Sequence, residues 1–125
     1  MKKVIKTDLA PKAIGPYSQA IMIGDFLFAS GQIAIDPKKS ELVEGGIEVQ
    51  AAQVMENIKN LLAGAGMDFS HVVKTTIFLT DINNFSLVNE IYGRYFSEEP
   101  PARSCVEVSC LPKGALIEIE VIAHK

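Results

Sequence analysis

Residues 100–109, "PPARSCVEVS", begin with two prolines that end the preceding element, and they continue as a strand. Successive side chains of a strand point to opposite faces of the sheet. We therefore expect Arg103, Cys105 and Glu107 on one face, and the residues between them on the other. A guanidinium, a thiol and a carboxylate in one row indicate either a site or a solvated surface.

The stretch "ALIEIEVIAH" (residues 115–124) is a second alternating strand. Its apolar residues Ile117, Ile119 and Val121 match Val106 and Val108 of the first stretch, so all five are expected on one buried face. The ionisable residues of the two strands are then expected together on the opposite face: Arg103, Cys105, Glu107, Glu118 and Glu120.

Upstream, the hydrophobic pattern alternates between the periods of strands and helices. "KVIKT" predicts a first strand, and "QAIMIGDFLFAS" predicts a hairpin that turns at Gly24-Asp25. The following "GQIAIDPKKSELVEGG" has the turn chemistry of a loop. "HVVKTTIFLTD" is rich in β-branched residues and predicts another strand.

Two segments have the period of a helix. The first starts at Ile47 and stops near Gly64 and Gly66. The second is expected to be N-capped by Asn83 or Asn84. The apolar stripe predicted for the first helix is Ile47, Ala51, Val54, Ile58, Leu61, Leu62 and Ala65, and for the second it is Phe85, Val88, Tyr92, Tyr95 and Phe96.

The predicted order is therefore β, β-hairpin, α, β, α, β, β. Two amphipathic helices can cover one face of a single sheet, which makes the fold class α+β. No third helix is present in the pattern to cover the second face. That face either contacts water or packs against other copies of the chain, and the pattern leaves both interpretations open.

Composition excludes several classes of function. The chain has 125 residues, 48% of them apolar and 22% charged, which is typical of one globular domain spanning residues 1–125. A net charge of −3 gives no electrostatic basis for binding nucleic acid or an anionic membrane. No apolar run approaches the length of a membrane span, and no signal peptide is expected. Cys105 and Cys110 would lie about 16 Å apart on a strand and cannot pair, so a cytoplasmic protein with reduced thiols is expected.

The residues that most enzymes use for nucleophilic or metal chemistry are scarce. His71 and His124 are the only histidines, and neither is placed to form a triad with a serine or cysteine. No metal-ligand spacing and no glycine-rich phosphate loop is found. What remains is Arg103 with Cys105 and the two glutamates. One interpretation is an exposed cross-strand ion pair; the other is a site in which Arg103 grips a carboxylate and a glutamate activates water.

Four stretches, "AIGPYSQA", "FASGQI", "PARSCVEV" and "IEIEVIA", resemble in sequence and in order the reactive intermediate deaminase family, also called the RidA or YjgF family. The resemblance covers essentially the whole chain and is closest to the enamine/imine deaminase branch. It implies a chorismate-mutase-like α+β unit, assembled as a homotrimer with three sites in the clefts between subunits. It also implies hydrolysis of 2-imino acids, such as 2-iminobutanoate and 2-iminopropanoate, to 2-oxo acids and ammonia, with no cofactor and no metal.

The resemblance also assigns roles to individual residues. It implies that Arg103 grips the substrate carboxylate, Glu118 activates water, and Cys105 and Tyr17 line the catalytic site. The implied substrate-binding residues are Ser30, Gly31 and Asn89. Two rivals stay open: a trimer that binds small carboxylates for regulation or as a chaperone without turnover, and a ribonuclease that inhibits translation. The absence of a basic stripe argues against the ribonuclease.

Overall fold

A computed structural model describes all 125 residues of the chain. Eight strands and two α-helices alternate in the predicted order, with one short hairpin added. Single turns of 3₁₀ helix join several of them. The elements are β1 (Lys2–Ile5), β2 (Ala20–Ile23), β3 (Phe26–Ala29), β4 (Ile35–Asp36), β5 (Glu41–Leu42), α1 (Ile47–Gly64), β6 (Val72–Leu79), α2 (Phe85–Gly93), β7 (Ala102–Glu107) and β8 (Ile117–His124).

Six strands form one sheet in the order β1-β2-β3-β8-β6-β7. All neighbours are antiparallel except β6 and β7, which are parallel. The hairpin predicted at Gly24-Asp25 is confirmed, because β2 and β3 pair directly across it. The small hairpin of β4 and β5 lies within the stretch predicted as loop; each strand has only two residues, too few to show alternation.

Helix α1 packs its apolar stripe on the sheet, as predicted, and this packing forms most of the core. Two polar side chains on its buried face fasten neighbouring loops. Asn57 donates hydrogen bonds to the carbonyls of Ile33 (3.2 Å) and Ile35 (2.9 Å), and Gln50 accepts one from the Leu116 amide (2.9 Å). No helix in the structure has both the length and the apolar character that crossing a membrane requires.

Helix α2 covers the sheet edge near β6 and β7. Its Tyr92 is buried, and the Tyr92 hydroxyl is 2.8 Å from the Thr75 hydroxyl of β6. The helix ends at Gly93, so Tyr95 and Phe96 of the predicted stripe lie beyond it and pack on Phe69 instead. The N-cap is Asn84, as one of the two predicted alternatives, although its side chain makes no capping hydrogen bond.

The register of β7 corrects the predicted distribution of side chains over the two faces. Arg103 pairs with Thr75 and Cys105 with Ile77, and both β6 residues are buried beneath the helices. Glu118 of β8 instead pairs with Phe78, in the row that faces away from the helices. The prediction that Arg103, Cys105 and Glu107 share a face with Glu118 and Glu120 is therefore wrong.

The error has a physical cause. Strand β7 is at the edge of the sheet and buries little on either side, so Val106 is 44% exposed and its apolar character does not mark the core. Between β7 and β8 the chain leaves the sheet through a 3₁₀ turn at Pro112–Gly114. Strand β6 also separates β7 from β8. The faces on which the side chains of β7 lie therefore cannot be inferred from the alternation of residues in β8.

The side of the sheet away from the helices, which we call the open face, is apolar on β1, β2 and β3. Neighbouring strands place large hydrophobic side chains side by side there, between 44% and 50% exposed: Val4, Ile23, Phe26 and Phe28. Ile21 and Ile122 belong to the same rows. An apolar surface of this kind is typical of a contact with another protein chain.

Candidate active site

Arg103 leaves the edge strand β7 on the helix-covered side and lies against α2. Its guanidinium carbon is 5.2 Å from the centre of the Phe85 ring and 5.1 Å from that of Tyr92. Its Nη1 donates a hydrogen bond of 2.5 Å to the side-chain oxygen of Asn89. No carboxylate pairs with it, so the exposed-ion-pair interpretation does not describe this chain. The planar group is held in place while its other N–H groups are free for a ligand.

Cys105 follows on the same side of β7 and is partly buried. Burial raises the pKa of the Cys105 thiol, and the nearby Arg103 offsets this only in part. A thiol with a raised pKa is protonated at neutral pH and is a poor nucleophile. Arg103 and Cys105 line an open cavity of about 630 Å³ together with residues from the start of α2, including Phe85. We call this group, with Asn89, the arginine half-site.

Glu118 lies on the open face, next to the loop that follows β3. Gln32 and Ile119 exchange two backbone hydrogen bonds of 2.8 and 3.1 Å, which bind this loop to β8. The carboxylate of Glu118 lies over Gly31, where a β-carbon would be only 2.7 Å from the Glu118 carboxyl carbon. Glycine is therefore required at position 31 if Glu118 keeps this conformation.

The environment of Glu118 suits a general base. Burial, and secondly the like charge of Glu120, raise the pKa of the Glu118 carboxyl. A carboxylate whose pKa is raised holds a proton more strongly, so it is a better base than a fully solvated one. No cation of the chain is paired with it.

Tyr17 and Ser30 stand in the wall of the same cavity as Gly31 and Glu118, which has a volume of about 520 Å³. Tyr17 is 53% exposed at its rim. The Ser30 hydroxyl donates to the carbonyl of Ser18 at 2.6 Å, so it fastens the Tyr17 loop to β3. We call Tyr17, Ser30, Gly31 and Glu118 the glutamate half-site.

Gln19 and Gln32 support the glutamate half-site, and the sequence interpretation missed both. The buried Gln19 side chain accepts from the Thr7 amide (2.8 Å) and donates to the carbonyls of Thr7 (3.0 Å) and Pro11 (2.8 Å). Gln32 is also buried, and its Oε1 is the only buried side-chain polar atom without a hydrogen-bond partner. Both glutamines lie inside stretches that carried the family resemblance, "GPYSQA" and "SGQI". The sequence interpretation gave roles only to their neighbours Tyr17, Ser30 and Gly31.

The seven predicted site residues thus divide into two groups within one chain. Arg103, Cys105 and Asn89 are together on the helix-covered side, and the other four are together on the open face. One group offers a cation that can grip a carboxylate, and the other offers a base that can activate water. Each group lacks what the other has.

The fold and these groups define a class of small α+β proteins with one sheet, two helices on one face and an arginine and a glutamate on opposite faces. The chain belongs to the L-PSP/RidA family: the family model described as endoribonuclease L-PSP matches residues 7–125.

Three relatives illustrate the likeness. Human 2-iminobutanoate/2-iminopropanoate deaminase is 50% identical over 123 residues, which are 98% of this chain and 90% of the human protein. The crystal structure of a Rid-family protein of unknown function from Yersinia pestis is 58% identical, with a TM-score of 0.98 over 100% of both chains. The structure of Escherichia coli TdcF with bound serine is 41% identical, with a TM-score of 0.94 over 98% of both chains.

Proposed function

We propose that this protein is a homotrimeric deaminase that hydrolyses 2-imino acids in clefts between subunits. The observation that carries the proposal is the separation of the two half-sites. Arg103 and Glu118 are on opposite sides of one sheet, so a site that uses both must take them from two chains. The apolar open face supports the assembly, because association would remove its exposed phenylalanines from water.

In the proposed reaction, Arg103 holds the substrate carboxylate through two parallel hydrogen bonds. The imine reacts in its protonated form. A water beside Glu118 attacks the imine carbon while Glu118 takes one of its protons, and the electrons of the C=N double bond move to the nitrogen, which gives a neutral carbinolamine. Glu118 then returns that proton to the nitrogen, the C–N bond breaks and ammonia leaves. The hydroxyl oxygen forms the C=O bond of the 2-oxo acid, and its proton passes to Glu118 and then to water.

The proposed substrate class is supported by the names of relatives and by the unpaired arginine. Mammalian relatives about 50% identical are named 2-iminobutanoate/2-iminopropanoate deaminases. We propose the same substrates for this chain, because the unpaired Arg103 is complementary to their carboxylate. The raised pKa of Cys105 leaves the thiol as a wall of the site and not a nucleophile. The reaction needs no cofactor or metal.

A binding protein without turnover is the second candidate, and one comparison favours it. The serine bound to TdcF carries a carboxylate that an arginine half-site could hold without any reaction. The ribonuclease in the family's description has less support here, because the net charge is −3.

Ammonia release from freshly made 2-iminobutanoate distinguishes these candidates. We expect the protein to accelerate it, and Glu118→Gln to abolish the acceleration while the protein still binds 2-oxobutanoate. Carboxylate binding with no acceleration by the unaltered protein would identify a binding protein. Light scattering should give the mass of three chains, and a monomer at micromolar concentration would refute the site between subunits.

A further inference from the structure

The cavity beside Glu118 has a cationic rim that the proposed reaction does not use. Lys12 and Lys113 line the same cavity as Glu118. Neither ammonium group has an ion pair or a hydrogen bond within the chain, whose salt bridges join other residues. In the proposed site the substrate carboxylate belongs to Arg103, so the two lysines are left without a function in the reaction.

The backbone at Lys113 is held in an unusual conformation at this rim. Lys113 has a φ of 58°, in the left-handed region that side chains rarely adopt, and Gly114 follows with a φ of 70°. Backbone hydrogen bonds from Gly114 to Leu111 (3.2 Å) and from Ala115 to Pro112 (3.1 Å) keep the turn closed. Such strain is often found where the chain must place a side chain at a site.

Apolar side chains from two loops complete the wall of the cavity. Ile14 comes from the loop before β2, and Ile33 and Ile35 precede α1. Asn57 fixes the latter two by donating hydrogen bonds to both of their carbonyls. A cavity lined by three isoleucines and two unpaired lysines is complementary to a short methylene chain that ends in an anionic group.

We propose that the cavity is a second carboxylate subsite, with Lys12 and Lys113 as its specificity-determining residues. The protein then accepts 2-imino dicarboxylic acids such as 2-iminopentanedioate: the first carboxylate lies on Arg103 of the partner subunit, the methylenes on the isoleucines and the second carboxylate at the lysines. This inference rests on the proposed function and adds a substrate class to it.

The test compares two substrates of equal length, 2-iminopentanedioate and 2-iminopentanoate, in which a methyl group replaces the second carboxylate. Both are made in the assay by an amino-acid oxidase. We expect kcat/KM for 2-iminopentanedioate, divided by kcat/KM for 2-iminopentanoate, to fall about tenfold or more in the double variant Lys12→Gln/Lys113→Gln. A tenfold fall corresponds to the loss of one modest charge interaction. Lys59→Gln, an exposed lysine on α1 outside the cavity, is the matched control and should keep the ratio. A fall smaller than about threefold in the double variant overturns the proposal.

Binding of the stable products separates this inference from the proposed reaction. Calorimetry with 2-oxopentanedioate and 2-oxopentanoate should show the same loss of discrimination in the double variant, even if no imine is hydrolysed. If 2-iminopentanoate is turned over but neither the kcat/KM ratio nor the binding ratio changes in the double variant, the subsite is contradicted and the deaminase is not. Lysine-dependent binding without turnover contradicts the deaminase alone.

Discussion

Arg103 stands between two aromatic rings and an asparagine with no acidic partner in its own chain. Losing a charged hydrogen-bonded pair in a partly buried cleft costs roughly 2–5 kcal/mol. We therefore expect Arg103→Ala to lower kcat/KM for 2-iminobutanoate by about 30-fold to several thousand-fold. Arg103→Lys should restore only part, because an ammonium lacks the planar fork.

Activity and melting temperature should be measured on the same Arg103→Ala preparation. Near-normal turnover with a clearly lowered melting temperature would mean that Arg103 serves the fold through its packing on α2.

Gly31 is the residue on which the carboxylate of Glu118 lies. In Gly31→Ala, the new methyl group would be 2.7 Å from the Glu118 carboxyl carbon, so the side chain of Glu118 must move. We expect kcat to fall at least about tenfold, because a displaced base no longer reaches its water. The melting temperature should change little, since a side chain moves and not the backbone. Gly93→Ala is the control, because a β-carbon there meets nothing within 4 Å; equal activity in the two variants would contradict the contact.

The pKa of Glu118 predicts the pH dependence of the proposed reaction. Burial, and then the charge of Glu120, raise this pKa, so Glu118 stays protonated to a higher pH and becomes a base only as the pH rises through it. The kcat/KM value should therefore fall on the acid side. Glu120→Gln removes the repulsion, so this acid limb should move to lower pH. Glu98→Gln, which changes an exposed glutamate elsewhere in the sequence, is the control and should not move the acid limb. If Glu120→Gln does not move the acid limb either, a group other than Glu118 titrates there.

At the scale of elements, the loop between β1 and β2 depends on Gln19. The buried side-chain amide of Gln19 makes hydrogen bonds to the backbone of Thr7, Ala10 and Pro11. These bonds hold the loop that brings Tyr17 to the cavity. We expect Gln19→Met to lower the free energy of unfolding by about 2–4 kcal/mol, because several backbone groups lose their partner. KM should rise with it as the wall of the cavity loosens. Gln53→Met, which removes one hydrogen bond on α1, is the control. An unchanged KM in Gln19→Met would show that the loop does not shape the site.

The elements were predictable where their own period is clear. Alternation in β6 and β8, and the stripe of α1, follow from burial of one side only, and the structure confirms them. Two-residue strands such as β4 leave no period to read. The parallel pairing of β7 with β6 joins segments about thirty residues apart, and no local pattern specifies it.

The same limit explains the partly predicted site. The resemblance of four motifs selected the seven residues, and the structure divides them into two groups. Which face Arg103 occupies was not predictable, because an edge strand exposes both of its sides and Val106 is as apolar as a core residue. The supporting Gln19 and Gln32 were missed because their roles depend on hydrogen bonds across the fold.

At the scale of the whole molecule, the separation of Arg103 from Glu118 has a genetic consequence. An Arg103→Ala chain keeps an intact glutamate half-site, and a Glu118→Gln chain keeps an intact arginine half-site. Each variant alone is expected to keep only a small part of the wild-type activity. If the two are unfolded together and refolded in equal amounts into the proposed trimers, about one quarter of the clefts should receive both wild-type residues.

The two impaired variants should therefore restore activity when they are mixed, and two defective copies of the gene should complement each other within one cell. Mixing Arg103→Ala with Cys105→Ala/Arg103→Ala, which share the same defective half, should restore nothing. Recovery to about a quarter of wild-type activity in the first mixture alone would show that the smallest working unit is a junction between chains and not a single chain. No recovery in refolded trimers would contradict a site that Arg103 and Glu118 share across two chains.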